Sequence, residues 1–536
     1  MTVLTIEPAL RGPAAWLARL PWWAAMAVAG IAGAGAALAF APFHWVPLLG
    51  FGLCVLIWQL DGVFARPGRT FGSVFLRGWS FGSGFFIAGT YWVGSAFAQR
   101  PGAEPLALVG ILALGCGLAV FWGLALAMAR SLWTRDARRI PVFVLAMMAA
   151  ELIRGHLFGG FPWNLAAYVW PAGGAMSQAA SVIGAYGLTA VTLLLLASPA
   201  AMGDVGRPFV QRAAPSLAAA LLFGLMWGAG AQRLSAAPVE AQIGGPIVRV
   251  ADPGYTQREK WSTDPNIVLN AYLRLSQAPR EARSQVVIWP EGAIPIAPPY
   301  FDPILENPDA QARIGAVMGD RVLVIGAHRR DERGMYNSAL VLDAVSGVLQ
   351  VDPQTYDKNR LVPFGEFIPL YDHISWLGIT AMQQIGNGFI PGEPPRRVFI
   401  PGSEPAVIHI CYESLFPGLT PTGEDRPHWI INITNDAWFG RGAGPWQHAT
   451  TARYRSIEEG LPTARSASGG VSGIFDGYGR AMVSTDLQGG AVEAALPPAL
   501  SPTPFSQFGG WLLALVLALI AALRFAPPNP ARGLRS

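Results

Sequence analysis

The chain has 536 residues, 52% of them hydrophobic and only 13% charged, against about a quarter charged in an ordinary soluble domain. That length calls for at least two structural units. The net charge of +4 comes from scattered arginines rather than a basic stripe, which argues against a nucleic-acid partner.

The charge deficit is concentrated in residues 14–232 and 508–525. A helix needs about 20 mostly apolar residues to cross a bilayer. Spans are expected near 22–41, 46–60, 74–96, 105–129, 140–158, 177–200, 213–231 and 508–525, the second short and the fifth carrying charge. Ala39-Phe40-Ala41 resembles a secretory cleavage site, but Pro42 follows it and more spans come after, so the first helix is read as retained. Arginines mark one side of the membrane: Arg11 and Arg19 precede the first span, Arg66 and Arg69 follow the second, and Arg130, Arg135, Arg138 and Arg139 the fourth. Arg207 and Arg212 follow the sixth, Arg532 and Arg535 close the chain, and the alternate loops hold almost none beyond Arg100. Both termini are therefore expected in the cytoplasm, with residues 233–507 on the opposite face, the periplasm of a bacterial inner membrane. In the fifth span Glu151 and Arg154 share a helix face. Ionisable groups at that depth suggest function, and a mutual ion pair is an equal alternative. Gly159 to Trp163 (GGFPW) breaks the helix as an outer-face loop or re-entrant turn.

Residues 233–507 change character. IVRVAD, SQVVIWPE, RVLVIGAH, YNSALVLDA, AVIHICYES and HWIINITND read as buried strands bounded by turn residues. Helical stretches such as IVLNAYLRLSQ and the segment from His448 to Glu459 lie between some of them. This alternation predicts an α/β domain with a largely buried sheet. The expected organisation is a membrane domain of seven spans over 1–232, the α/β domain over 233–507, and an eighth span with a cytoplasmic tail over 508–536. No metal-ligand spacing, phosphate loop or other cofactor motif is legible.

Three islands in the insert end on reactive side chains: VVIWPEG with Glu291, YDKNRLVPFGE with Lys358, and VIHICYES with Cys411. Of 38 basic residues only Lys260 and Lys358 are lysines, and arginine cannot supply the point charge of an ammonium. Of three cysteines, too few for a disulfide framework, Cys54 and Cys116 lie in apolar spans as small buried hydrophobes and only Cys411 lies outside. An unperturbed thiol titrates near ~8.5, so a cysteine nucleophile needs a base. Glu291 ends an apolar strand, where desolvation is expected to raise its pKa and suit it to that task. An ammonium at Lys358 can stabilise the oxyanion of a tetrahedral intermediate. Spacing alone proves none of this, since a buried cysteine at a strand end is structurally inert more often than catalytic.

In this order, WPEG, YDKNRLVPFGE and HICYES resemble the Glu-Lys-Cys set of the nitrilase (carbon–nitrogen hydrolase) superfamily. With seven helices before the insert and one after, the whole chain is similar to the apolipoprotein N-acyltransferase family of Gram-negative bacteria. The resemblance implies a four-layer αββα sandwich on an all-α membrane bundle of about eight helices. It implies Glu291 as general base, Lys358 as oxyanion stabiliser and Cys411 as nucleophile. Glu366 is implied as a second carboxylate tuning them, Glu413 and Asn337 as supports, and Tyr412 as a neighbour whose backbone helps form the oxyanion hole. The implied donor is a phospholipid, phosphatidylethanolamine through its sn-1 chain, and the acceptor is the α-amino group of a diacylglyceryl-cysteine at an apolipoprotein N-terminus. NDAWFGRGAGPWQH keeps the family pattern from Asn435 to Gly440 and at Pro445, Gln447 and His448, but has Gly442 and Ala443 where a serine is common. Ala467-Ser468-Gly469 replaces a usual Thr-Asn-Thr. His448 is read as packing or capping, with a proton shuttle as the alternative. The stretch around Trp376 to Phe389 is a candidate lid. Rival readings are a membrane-tethered amidase acting on small amides, and a non-catalytic lipid-binding protein in which Cys411 is dispensable.

Overall fold

The computed structural model describes residues 12–65, 71–99, 102–238, 244–277, 284–295, 307–345, 348–351, 355–374 and 388–525. Arg11, Arg66, Arg69, Arg100, Arg532, Arg535 and the lid stretch 376–387 lie outside the described residues.

Helices occupy every expected span: Trp22–Ala37, Val46–Phe64, Phe71–Gly89 with Val93–Ala98, Leu106–Met128, Arg139–His156, Ala180–Ala197, Phe209–Ser235 and Pro504–Leu523. Among the described residues six of the membrane-body helices are long and apolar enough to cross a membrane. Trp22–Ala37 falls short at 16 residues, and Phe71–Gly89 is diluted by glycines, serines and Arg77. Those two pack backbone to backbone. A Cβ on Gly84 would sit 1.9 Å from the Gly30 carbonyl oxygen, and one on Gly33 1.9 Å from that of Phe81. Small residues at such crossings supply the close packing that holds helices together in lipid, where no hydrophobic drive exists.

The loops at one end of this bundle meet around Arg139, which pairs with Asp61 at 3.1 Å and Asp204 at 2.7 Å. The opposite end carries the α/β domain, and Pro504–Leu523 returns to pack on Ala180–Ala197.

The α/β domain holds two sheets. One is seven-stranded in the order β12(Gly490–Ala495), β1(Ile247–Asp252), β2(Val286–Trp289), β3(Val322–Asp331), β4(Gly334–Val345), β5(Val348–Val351), with β6(Tyr356–Asp357) also on β4. The other runs β11(Ala481–Ser484), β10(Gly473–Phe475), β9(Thr463–Ser468), β8(Trp429–Asn435), β7(Ala406–Ile410). β1, β2 and β3 are parallel to one another, as are β7, β8 and β9. Alternate residues of a strand face opposite sides. Val286 and Ile288 therefore join Ile408, Ile410, Ile431 and Ile433 between the sheets. Val287 and Trp289 face the helices Pro265–Ser276 and Pro308–Met318. The helix Ala443–Glu459 covers the second sheet's outer face while its Tyr454 and Ile457 join the membrane core. The result is the expected four-layer αββα sandwich on a helical membrane body. Both faces of each parallel core are covered, which is why these strands read as continuous apolar runs.

Ala443–Glu459 joins the two halves. Ala180–Ala197 is broken at Gly184, whose φ is 66°. The freed Ala185 N–H donates to Glu458 Oε1 at 2.6 Å, so a carboxylate of the sandwich caps a membrane helix.

Candidate active site

Glu291, Cys411 and Asn435 sit where parallel strands end, the usual place for a site in such sheets, and Lys358 follows a short strand that pairs antiparallel with β4. β2 ends before Glu291, β6 before Lys358, β7 before Cys411 and β8 at Asn435. Gly326 on β3 passes directly behind the first of these: a Cβ there would lie 2.4 Å from the Glu291 Cα.

Four of the residues singled out from sequence form one hydrogen-bonded cluster. Lys358 Nζ donates to Glu291 Oε1 at 3.2 Å and to Glu366 Oε1 at 2.9 Å. Asn337 Nδ2 bridges the same two oxygens at 2.6 and 2.8 Å. The other oxygens take backbone donors, Asn435 N at 2.9 Å for Glu291 and Val362 N at 2.8 Å for Glu366. Lys358 N–H in turn donates to the Asn337 carbonyl at 2.8 Å. Lys358 is 1% exposed and Glu291 7%, so these bonds act where water does not compete.

Cys411 starts the 3-10 turn Cys411–Leu415 with a φ of 51°, a left-handed conformation unusual for a non-glycine. The Thr434 side chain lies beside its thiol, which feels the charges of both Glu291 and Lys358. Glu413 is fully buried below the turn and accepts from Ile410 N, Tyr356 Oη, Asn359 N and Arg360 N. It thereby ties the Cys411 turn to the segment bearing Lys358. Tyr412 points to the membrane body, its hydroxyl donating to the Gly160 carbonyl.

The electrostatics correct one expectation. Burial does push the Glu291 carboxyl upward, but the Lys358 charge and the bonds from Asn337, Lys358 and Asn435 outweigh it and hold the group below its ordinary range. For Lys358 burial opposes the charge, yet Glu291 and Glu366 hold it well above the usual lysine value. Burial, then the Glu291 charge, push the Cys411 thiol well up. The resting site is therefore carboxylate, ammonium and neutral thiol. Such an arrangement holds no standing thiolate, and it can release the sulfur's proton to a nearby carboxylate only as a bond to sulfur forms.

Sequence reading missed several residues. Lys260 is fully buried and donates to the Gly292 carbonyl at 2.9 Å and Ser468 Oγ at 3.1 Å, and burial lowers its pKa to about 8. Its signal was available, since it is the other lysine of the chain. Ser468 and Gly469, at the altered motif, are both engaged: Gly469 N–H donates to Asp252 at 2.9 Å. Asn435 opens NDAWFG, and nothing local shows that its N–H meets Glu291.

The membrane body reaches the site through the GGFPW turn. Trp92, Trp163, Tyr412, Leu415 and Phe416 form one buried cluster from both halves, and Trp92 and Trp163 both donate to Gln447 Oε1. Glu151 and Arg154 are a mutual buried pair, with Arg154 Nε 3.0 Å from Glu151 Oε1 and Trp122 Nε1 2.7 Å from the same oxygen. Arg154 also donates to the Phe161 carbonyl, propping the turn that receives Tyr412. Arg154→Leu strands a buried carboxylate and is expected to cost about 3–5 kcal/mol. The double variant Glu151→Leu/Arg154→Leu should cost less. Unfolding in detergent micelles measures both; a double variant worse than the single would refute the pairing.

Residues 32–198 match the family model of the apolipoprotein N-acyltransferase N-terminal domain, and residues 249–489 that of carbon–nitrogen hydrolase. The chain is 39% identical to an apolipoprotein N-acyltransferase of Caulobacter vibrioides, over 92% of this chain and 93% of the relative. With the protein of that name from Bradyrhizobium diazoefficiens the identity is 37% over 94% and 95%. With that from Rhodopseudomonas palustris it is 34% over 95% and 97%.

Proposed function

The chain belongs to the apolipoprotein N-acyltransferase family, and from that premise we propose that Cys411 carries an acyl chain as a thioester between a phospholipid and a lipoprotein amine. Membership makes the protein a membrane-bound acyltransferase of lipoprotein biosynthesis, with phospholipid and lipoprotein substrates.

In the proposed first half, Glu291 takes the Cys411 proton while sulfur attacks the sn-1 ester carbonyl of phosphatidylethanolamine. Lys358 stabilises the oxyanion, and Glu291 returns the proton to the departing lysophospholipid alcohol. In the second half the free α-amino group of a diacylglyceryl-cysteine attacks the thioester. Its proton passes to Glu291 and on to the leaving sulfur, giving amide and thiol. Glu366 and Asn337 hold Lys358 and Glu291 in register throughout.

The observation that carries this reading is the single hydrogen-bonded cluster of Glu291, Lys358, Glu366 and Asn337 beside the Cys411 turn, which is itself seated on the membrane body through Tyr412. Both substrates are lipids, and a site fixed at the bundle's end meets their headgroups without a search. An amidase of small amides has no use for that seat and is not favoured. The α/β domain is assigned to the periplasm and both termini to the cytoplasm. The arginine pattern supports this.

The test is intact mass. Incubation with phosphatidylethanolamine and no acceptor should add one acyl chain to Cys411, and a lipopeptide amine should discharge it. An adduct that persists in Cys411→Ala, or none in the native enzyme, overturns the reading.

A further inference from the structure

We propose that His448 is a positioning residue that aims the oxyanion donor next to Cys411, an inference that rests on the acyl-enzyme reading above. His448 lies on Ala443–Glu459 and is fully buried. Its Nδ1 is 2.7 Å from Asp436 Oδ1. Its Nε2 is 3.2 Å from the Cys411 carbonyl oxygen and 3.0 Å from Ser414 Oγ, which itself donates to that carbonyl at 3.0 Å. Trp163 and Phe439 flank the ring with centroids 5.4 and 5.7 Å away. The expected choice between packing and proton shuttling is thereby replaced by a third role. One ring nitrogen faces a carboxylate and the other a carbonyl and hydroxyl, so the ring is placed to hold atoms in position.

What it holds is a peptide plane. The bond from Cys411 to Tyr412 is planar and trans, so its carbonyl and N–H point opposite ways. Fixing the Cys411 oxygen from behind therefore directs the Tyr412 N–H forward. The N–H after a nucleophile on a sharp strand-to-helix turn is a recurrent oxyanion donor. The plane needs holding, because Cys411 has a left-handed φ of 51°, and non-glycine residues keep such angles only where their surroundings over-determine them.

Asp436 anchors the arrangement and branches it. Arg465 Nη2 donates to Asp436 Oδ2 at 2.6 Å, and Thr434 Oγ1 donates to Oδ1 at 2.9 Å. Thr434 also lies beside the Cys411 thiol. One buried carboxylate thus holds the histidine that meets the carbonyl and the threonine that lies beside the sulfur. Arg465 is itself fully buried and held by the Val471 carbonyl and Asn432.

The experiment uses full-length enzyme in phosphatidylethanolamine micelles. It follows acyl-enzyme formation beside alkylation of Cys411 by iodoacetamide, a reaction that builds no oxyanion. Removing one oxyanion donor typically costs about 10²–10³ in kcat, and His448→Ala should lower kcat by about 100-fold. KM and the alkylation rate should stay near native values. His448→Gln, whose amide can donate to the same carbonyl, should recover much of the loss. Native kcat in His448→Ala, or alkylation falling in parallel with acylation, overturns the proposal. Should His448→Ala not fold, Ser414→Ala removes the other donor and is expected to show the same split; unchanged kcat there also overturns it. A native enzyme that never forms the Cys411 adduct defeats the acyl-enzyme reading itself. A normal native adduct with an unimpaired His448→Ala defeats only this inference.

Discussion

Glu291→Gln is expected to slow acyl-enzyme formation by about 10²–10⁴-fold, the usual contribution of a positioned general base, with little loss of fold. The amide keeps the shape and can still accept from Lys358 Nζ or Asn435 N, while Lys358 retains Glu366 as a counter-charge. What vanishes is the acceptor for the sulfur's proton, and it matters because burial holds the Cys411 thiol strongly protonated. The pH profile supplies a second reading. Burial pushes Glu291 up but its partners win and depress it, so its loss of activity in acid should lie below the ordinary glutamate value of about 4.3. The sign for stability is the same. A depressed carboxyl contributes stability above its unfolded value, and this is lost as pH falls through the folded value. Single-turnover acylation across pH, native against Glu291→Gln, measures both. A variant within tenfold of native, or an acid limb near neutrality, would remove Glu291 from the role of base.

That depression illustrates what local sequence can and cannot convey. The strand preceding Glu291 was legible, because VVIW is a β-branched, apolar run. Its desolvation was therefore legible too. The charge that outweighs desolvation comes from Lys358, and the amide that shares it from Asn337 on another strand. Neither approach is encoded near Glu291. The membrane helices were readable from run length alone, yet the break at Gly184 was not, since its compensation is Glu458 from the sandwich. Asp436, His448 and Arg465 show the same limit. None of them points to the others from its own stretch, and only the packing of Ala443–Glu459 against the second sheet brings these side chains together under Cys411. Residue types at strand ends suggested which chemistry to look for, and tertiary contacts set protonation and aim.

Glu413 is where a substitution should cost most in stability. In the turn that follows β7 it accepts from Ile410 N at 2.7 Å. It also accepts from Tyr356 Oη at 2.6 Å, Asn359 N at 2.8 Å and Arg360 N at 3.2 Å. Glu413→Ala leaves these donors without their acceptor, at about 1–3 kcal/mol for each one that finds no water. The sum should exceed the roughly 4 kcal/mol that marks an exceptional point mutation. Tyr356→Phe, which deletes one donor together with its need, should cost only about 1 kcal/mol and keep activity. Urea unfolding in micelles ranks the two, and acyl-enzyme formation reports whether Lys358 still meets Cys411. Acid should act on Glu413 in the opposite sense from Glu291. Burial raises its carboxyl against the pull of its donors, so the folded chain takes up this proton first as pH falls, and between the two values acid favours the fold at this residue. A Glu413→Ala enzyme as stable as Tyr356→Phe would mean that the turn bearing Cys411 and the segment bearing Lys358 are held together by something other than this carboxylate.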